Sequence, residues 1–127
     1  MIRTSFDPAT VPAPQGGYSQ SLHVAEASRW LYVSGQIPVA RGGAVPETFQ
    51  EQCTLVWQHV TACLAAARMD AGNLVKVTTF LSDRRYASEN SAVRSECLAG
   101  HRPALTVVVA EIFDPAWLLE VEAVAAA

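Results

Sequence analysis

The stretch Pro103-Ala-Leu-Thr-Val-Val-Val-Ala110 decides how the chain is built, because its composition is that of a buried strand. Its three successive valines, Val107–Val109, lack the alternation of apolar and polar residues that marks a strand with one face in water. We therefore expect both faces of this strand to be covered. One face would pack on helices of the same chain, and the other would meet another subunit, since a small domain has few further elements to cover it.

A long helix is predicted from Thr48 to about Arg68. Apolar residues recur there at steps of three and four, which places them on one helical face. These residues are Phe49, Cys53, Val56, Trp57, Val60, Cys63, Leu64 and Ala67. Thr48 and Glu51 have the spacing of a capping box, which indicates where the helix begins. A second helix is predicted over residues 84–98, capped by Ser82 or Asp83 and ended by Gly100.

Short β-branched or aromatic stretches predict the strands. They are Tyr18–Ala25, Trp30–Ser34, Asn73–Leu81, the stretch from Pro103 and a closing strand Leu118–Ala125. We expect a hairpin loop at residues 25–29 between the first two strands, and an extended, proline-rich arm over residues 1–16. The predicted order is β-β-α-β-α-β-β in one domain, residues 1–127. This order favours an α+β fold with one mixed sheet and both helices on one face.

Composition limits the possible classes of protein. Half of the 127 residues are hydrophobic and the net charge is -3, which favours a globular protein without nucleic acid as a partner. No apolar run is long enough to cross a membrane, and no signal peptide is evident, so we expect a cytoplasmic protein. The three cysteines lack a CxxC pair, which fits a reducing compartment. His59 and Cys63 have the spacing of a metal pair without a further ligand, so helix packing is favoured and neither metal nor cofactor is expected.

The face of the sheet that the helices leave open carries apolar residues, which is typical of an association surface. A homo-oligomer is therefore favoured over a monomer, and the clefts where subunits meet become the natural ligand sites.

Several short motifs, in order along the chain, resemble those of the Rid/YjgF family, also called endoribonuclease L-PSP-like proteins. The motifs are Tyr18-Ser-Gln20, Val33-Ser-Gly-Gln-Ile-Pro38, Val75-Lys-Val-Thr-Thr-Phe-Leu81, Asn90, Pro103-Ala104 and Leu119-Glu-Val-Glu-Ala123. The resemblance implies a chorismate-mutase-like fold, a homotrimer and small-molecule sites in clefts between subunits. It also implies hydrolysis of enamines and imines to 2-keto acids and ammonia.

Leu105 departs from the family pattern. Active members carry Pro-Ala-Arg, and that arginine holds the carboxylate of the substrate. A guanidinium offers a planar pair of donors to a carboxylate, whereas leucine offers none. We therefore expect deamination of 2-imino acids to be weak or absent. His101, Arg102 and Arg3 are candidate replacements for the missing cation, and nothing in the spacing selects any of them.

The family resemblance implies a catalytic role for Glu120, which would place or activate the attacking water. The alternative is a polar residue at a strand edge. Tyr18, Ser34, Gly35 and Tyr86 match positions near the ligand cleft of the family. For these the alternatives are core aromatic residues and a turn at the end of a strand.

Two classes of function remain open. The first is a divergent hydrolase or deaminase that acts on an imine, an enamine or a related bond without the usual carboxylate anchor. The second is a non-catalytic homotrimer that binds a small metabolite or regulates a partner protein. A ribonuclease role is weaker, because lysine and arginine are not clustered.

Overall fold

The computed structural model describes residues 1–127 and has six strands and two α-helices. In chain order they are β1 (Ile2–Phe6), β2 (Ser21–Ala25), β3 (Trp30–Gln36), α1 (Phe49–Ala66), β4 (Leu74–Leu81), α2 (Ala87–Leu98), β5 (Ala104–Val109) and β6 (Leu119–Ala126). Short 3-10 helices at Ala71–Asn73 and Arg84–Tyr86 precede β4 and α2.

Four of the strands form a mixed sheet in the order β3-β6-β4-β5. β4 and β5 are parallel, whereas β6 is antiparallel to both of its neighbours. β3 and β4 therefore run in the same direction, and each strand-helix-strand passage joins parallel strands, as the sequence predicted. α1 packs on β6 and β3, and α2 packs beside α1. The predicted α+β class, with two helices on a mixed sheet, is confirmed.

The predicted hairpin between the second and third strands is wrong. β2 pairs with β1 in a separate antiparallel sheet, from Ile2 opposite Ala25 to Phe6 opposite Ser21, so the expected extended arm contains a strand. The chain turns away at Glu26, which has φ 60°. The N–H groups of Ser28 and Arg29 then both donate to the carbonyl of Ala127, at 2.9 Å. These bonds place the start of β3 beside the end of β6 rather than beside β2.

The helix boundaries follow the capping chemistry of the sequence. The Thr48 hydroxyl oxygen accepts from the N–H of Glu51 at 3.2 Å, which confirms the predicted start of α1. The Asp83 carboxylate caps the 3-10 helix before α2 by accepting from the N–H of Arg85. Ala99 and Gly100 both take left-handed backbone conformations, and α2 ends there. The apolar face predicted for α1 forms most of one side of the core.

The stretch that begins at Pro103 does not have both faces covered in a single chain. β5 is an edge strand, and Val107, Val108 and Val109 are 41%, 39% and 48% exposed. The helices of the same chain therefore cover the face that carries Val107 and Val109 only in part, which is less than expected. Cover of the opposite face, which carries Val108, by another subunit stays a prediction. No helix combines the length and the apolar character that crossing a membrane requires.

Candidate functional site

Glu120 and Leu105 lie on opposite faces of the mixed sheet. Glu120 of β6 pairs with Phe80 of β4, whereas Leu105 of β5 pairs with Val77 of β4. Val77 is fully buried on the face that the helices cover. Side chains three residues apart on one strand point to opposite faces. Glu120 therefore belongs to the open outer face and Leu105 to the helix side, so one chain does not bring the two together.

The side chain of Glu120 rests on the backbone of Gly35. The register of β3 against β6 shifts between Val33 and Gln36, which makes a bulge at this point. A Cβ atom on Gly35 would overlap Oε2 of Glu120 and would lie 2.8 Å from its Cδ. Only glycine leaves room for the carboxylate in this position. The structure thus brings together two of the site residues that the sequence predicts.

Ser34, the neighbour of Gly35, lines a different hollow of the outer face. This hollow has a volume of about 350 Å³ and includes Tyr32, Lys76 and Glu122. Tyr32 is 75% exposed, and the ammonium group of Lys76 donates to the Thr106 hydroxyl at 2.7 Å. The outer face therefore combines exposed aromatic surface with scattered polar groups.

Tyr18 and Leu105 line a second cavity, on the helix side of the sheet, which we call the α2 cavity. Its volume is about 360 Å³, within the roughly 300–1,000 Å³ typical of small-molecule sites. Its lining residues are Gln15, Tyr18, Gln20, Ala87, Asn90, Ser91, Arg94, Leu105 and Val107. The segment that carries Tyr18 is held beside β5, because the N–H of Ser19 donates to the carbonyl of Pro103 at 3.0 Å.

Arg94 is the residue of the α2 cavity that the sequence prediction missed. It is only 5% exposed, and its buried Nε has no hydrogen-bond partner. Burial lowers the pKa of its guanidinium. The available signal was its spacing, four residues after Asn90, which makes the two side chains neighbours on the surface of the predicted helix. The structure buries both residues, and a buried arginine requires an explanation.

The candidates predicted as replacements for the family arginine are engaged elsewhere or exposed. Nε2 of His101 lies 2.6 Å from the carbonyl oxygen of Leu74. The guanidinium of Arg102 donates to the carbonyl of Tyr18, at 2.9 and 3.2 Å, and pairs with Asp7 at 3.6 Å. Arg3 lies on β1 and is exposed. None of the three lines the α2 cavity.

Tyr86 occupies the position of a core aromatic residue. Its ring stacks on Phe49 of α1 with a centroid distance of 4.5 Å and an interplanar angle of 6°. Its hydroxyl oxygen accepts from Nη2 of Arg85 at 3.0 Å. Tyr86 does not line the α2 cavity. These contacts favour the structural alternative for Tyr86, and its role in binding stays a prediction.

The cysteine and histidine side chains of α1 make contacts within the chain. Burial, followed by the nearby Cys97, raises the pKa of Cys53 to about 12, so this thiol is neutral at pH 7. Sγ of Cys53 lies 4.0 Å from Oδ1 of Asn90. Nε2 of His59 lies 2.9 Å from the carbonyl oxygen of Val39, a contact within the chain rather than with Cys63.

Comparisons with known proteins agree with this geometry. The family profile described as endoribonuclease L-PSP matches residues 9–127. A RutC family protein of Pyrococcus horikoshii is 30% identical over 116 residues, which cover 90% of each chain. The structure of the Rid family protein YyfB from Yersinia pestis is similar over the whole of both chains, with a TM-score of 0.85 at 22% identity.

A further similar structure contains a ligand. Escherichia coli TdcF, solved with bound serine, has a TM-score of 0.74 and 26% identity, with 98% of each chain covered. The cytoplasmic location stays a prediction, because relatives include a mitochondrial protein. The profile covers most of the chain, and the fold matches throughout. The chain therefore belongs to the endoribonuclease L-PSP family, which is the Rid/YjgF family whose motifs its sequence carries.

Proposed function

We propose that this chain forms a homotrimer and that the clefts between its subunits bind a small metabolite. The protein would hydrolyse an imine or enamine bond of the metabolite bound there. The observation that carries this proposal is the division of the site between the two faces of the sheet. Glu120 with Gly35 lies on the outer face, and Tyr18 with Leu105 lies on the helix side. A second copy that docks its outer face near β5 would complete the site.

Exposed apolar residues supply the surface for this assembly. Trp30 and Tyr32 of β3 are 49% and 75% exposed, and the β5 valines lie at the opposite edge of the sheet. A monomer seldom leaves such residues in water together. Their position on the two edges fits a ring in which one edge of each copy meets the sheet of the next.

The chemistry follows from a carboxylate that lies beside a cleft. Glu120 accepts a proton from water as the oxygen attacks the C=N carbon, and a tetrahedral carbinolamine forms. With a protonated imine as the substrate, Glu120 then returns this proton to the nitrogen and takes the hydroxyl proton as the C–N bond breaks, so that ammonia and a carbonyl compound leave. The bulge at Gly35 holds the carboxylate close to the backbone, which limits its freedom. Catalysis depends on such positioning.

The ligand of a similar protein supports a small polar metabolite as the substrate. TdcF binds serine, a small amino acid. The α2 cavity has apolar walls at Leu105 and Val107 and polar groups around them, which suits a molecule of similar size. A polynucleotide fits poorly, because the net charge is -3 and the one cation of the cavity, Arg94, is buried.

The cellular compartment belongs to the same proposal. The three cysteines are all free, and Cys53 is buried. Free thiols persist in reducing compartments, which supports the cytoplasm.

Hydrolysis of freshly generated 2-iminopropionate by the purified protein and by Glu120→Gln tests the proposal. Because Leu105 stands where the family carries its arginine, we expect the wild-type protein to release ammonia from this carboxylate-bearing imine slowly, but faster than buffer, and we expect Glu120→Gln to lose most of that excess rate. The amide is nearly isosteric with the carboxylate and does not take a proton. Equal rates in both proteins would refute hydrolysis at Glu120. A protein that binds pyruvate but never accelerates hydrolysis would favour the non-catalytic alternative.

A further inference from the structure

We propose that Arg94 anchors the carboxylate of the ligand, in place of the family arginine that Leu105 replaces. The proposal rests on the proposed function, because it names the class of ligand for the same cleft. The guanidinium would reach the α2 cavity from helix α2. In the family pattern, the arginine lies instead on the strand that corresponds to β5, at position 105. The ligand would be a 2-oxo or 2-imino carboxylic acid with a short apolar side chain.

The first argument is the unpartnered charge of Arg94. The side chain is 95% buried, yet the one ion pair of the chain joins Arg102 to Asp7 instead. Nε has no hydrogen-bond partner. A buried N–H of a cation without an acceptor is unfavourable, because that group has lost its water and gained no hydrogen bond. An anion bound to the guanidinium would compensate this cost.

The second argument is the chemistry of the surrounding residues. Among the residues that line the α2 cavity, Arg94 is the one charged side chain, and no carboxylate faces it. Its neighbour Cys53 carries a neutral thiol, since burial raises its pKa to about 12. The positive charge is therefore not neutralised by α1 or by β5. An anion in the cavity would be the first counter-charge that Arg94 meets.

The third argument is the arrangement of the walls. Leu105 and Val107 of β5 form the apolar side of the cavity. Asn90, one turn before Arg94 on α2, and Tyr18 add polar groups beside the guanidinium. A carboxylate turned toward α2 would place its short side chain against the apolar wall. Substrate selection would then depend on two positions, with the acid group read at Arg94 and the side chain at Leu105.

Binding measurements with two stable probes test the assignment. Pyruvate carries the carboxylate, and pyruvamide replaces it by a neutral amide of nearly the same shape. We expect the wild-type protein to bind pyruvate at least about tenfold more tightly than pyruvamide, since charge-assisted hydrogen bonds contribute to one complex only. Arg94→Met should weaken pyruvate at least about tenfold and leave pyruvamide within about twofold. Arg84→Met, which removes an exposed arginine, is the matched control and should change neither affinity.

Two further variants sharpen the test. Arg94→Lys keeps the charge and should keep part of the preference for pyruvate. Arg94→Met combined with Leu105→Arg returns a guanidinium to the cavity from β5 and should regain pyruvate affinity. The wild-type comparison of the two probes remains decisive even where a variant does not fold, because equal affinity for both probes would overturn the proposal.

Other outcomes overturn it as well. Unchanged pyruvate affinity in Arg94→Met would show that the anchor lies elsewhere. Dissociation of the oligomer, with equal losses for both probes, would show that Arg94 pairs with a carboxylate of another copy. The proposed hydrolysis is judged separately, by ammonia release. Arg94-dependent pyruvate binding without hydrolysis refutes that function alone, whereas hydrolysis that is independent of Arg94 refutes the anchor alone.

Discussion

The outer face around Glu120 and the α2 cavity around Leu105 lie on the two sides of one sheet, and they differ in how their charged groups are held. On the outer face, the side chain of Glu120 lies against Gly35 at a β-bulge. In the α2 cavity, position 105 of β5 is a leucine, and the one charged lining residue is the buried Arg94 of α2.

The two sides differ because a general base and a carboxylate anchor have different positional requirements. The position of Glu120 depends on the backbone, because its carboxylate fits only where residue 35 has no Cβ. In our proposal Glu120 acts as a general base, which must be held in one place, so its function would require both Glu120 and Gly35. A carboxylate anchor needs only a cation that reaches the cavity, and either β5 or α2 can supply it. In our proposals the reactive end of the site is therefore fixed, whereas the anchoring end can move between elements.

Gly35→Ala tests whether hydrolysis depends on the position of the Glu120 carboxylate, and it has the largest expected effect. The added Cβ displaces the end of the Glu120 side chain, which is flexible enough to turn aside without unfolding β3 or β6. Displacement of a catalytic group by about 1 Å can cost about a hundredfold in rate, and we expect at least that loss in kcat for imine hydrolysis. Pyruvate affinity should stay within about twofold, because the anchor lies on the other face.

Gly42→Ala is the control for this change. A Cβ on Gly42 would meet no atom within 4 Å, so this variant should hydrolyse at the wild-type rate. Full activity in Gly35→Ala would contradict the role of Glu120 and would remove the distinction between the two faces.

Cys53→Val tests whether the positive charge of Arg94, on the helix side of the sheet, lacks a counter-ion within the chain. The folded state holds the Cys53 thiol at a pKa of about 12, raised from 9.0, so alkali ionises the unfolded chain first. The stability that depends on the neutral thiol is complete below pH 9 and is lost as the pH rises toward 12. Between pH 8 and 10.5 the wild-type protein should lose about 2 kcal/mol more than Cys53→Val, in urea unfolding at one protein concentration.

The opposite sign would be informative. If Cys53 were a thiolate paired with Arg94, its folded pKa would be depressed, and the wild-type protein would gain stability relative to the variant as the pH rose toward 9. Arg94 would then already have a counter-ion within the chain, and it would not be available to bind the carboxylate of a ligand.

Local patterns predicted the parts of the fold that depend on local chemistry. The apolar period and the Thr48 cap located α1, and the β-branched run located β4. The partner of β2 could not be predicted in this way, because β1 is short, lies within the proline-rich arm and buries none of its residues. Its pairing with β2 depends on backbone bonds between segments about 20 residues apart in the chain.

In the candidate site, too, some residues could be predicted from local sequence patterns and others could not. Motifs led to Glu120, Gly35, Tyr18 and Leu105, and the structure groups them in two pairs. Arg94 was missed because no motif contains it, and its lack of a partner is a property of the folded chain. The spacing of four residues makes Arg94 a neighbour of Asn90 on the helix, but the sequence does not show that Arg94 is buried or which side chains reach it.

Tyr86→Leu makes the finest test of where the site ends. Tyr86 stacks on Phe49 outside the α2 cavity, so its loss should cost stability rather than binding. An aromatic pair contributes about 1 kcal/mol beyond its buried area, and we expect a decrease of that size in the free energy of unfolding. Tyr86→Phe keeps the ring and should retain the stability, because the bond that it removes, to Arg85, lies at the exposed surface. Pyruvate affinity should stay within about twofold in both variants. A tenfold loss in Tyr86→Phe would instead place the tyrosine hydroxyl in the ligand site and extend the anchoring side of the cleft beyond α2.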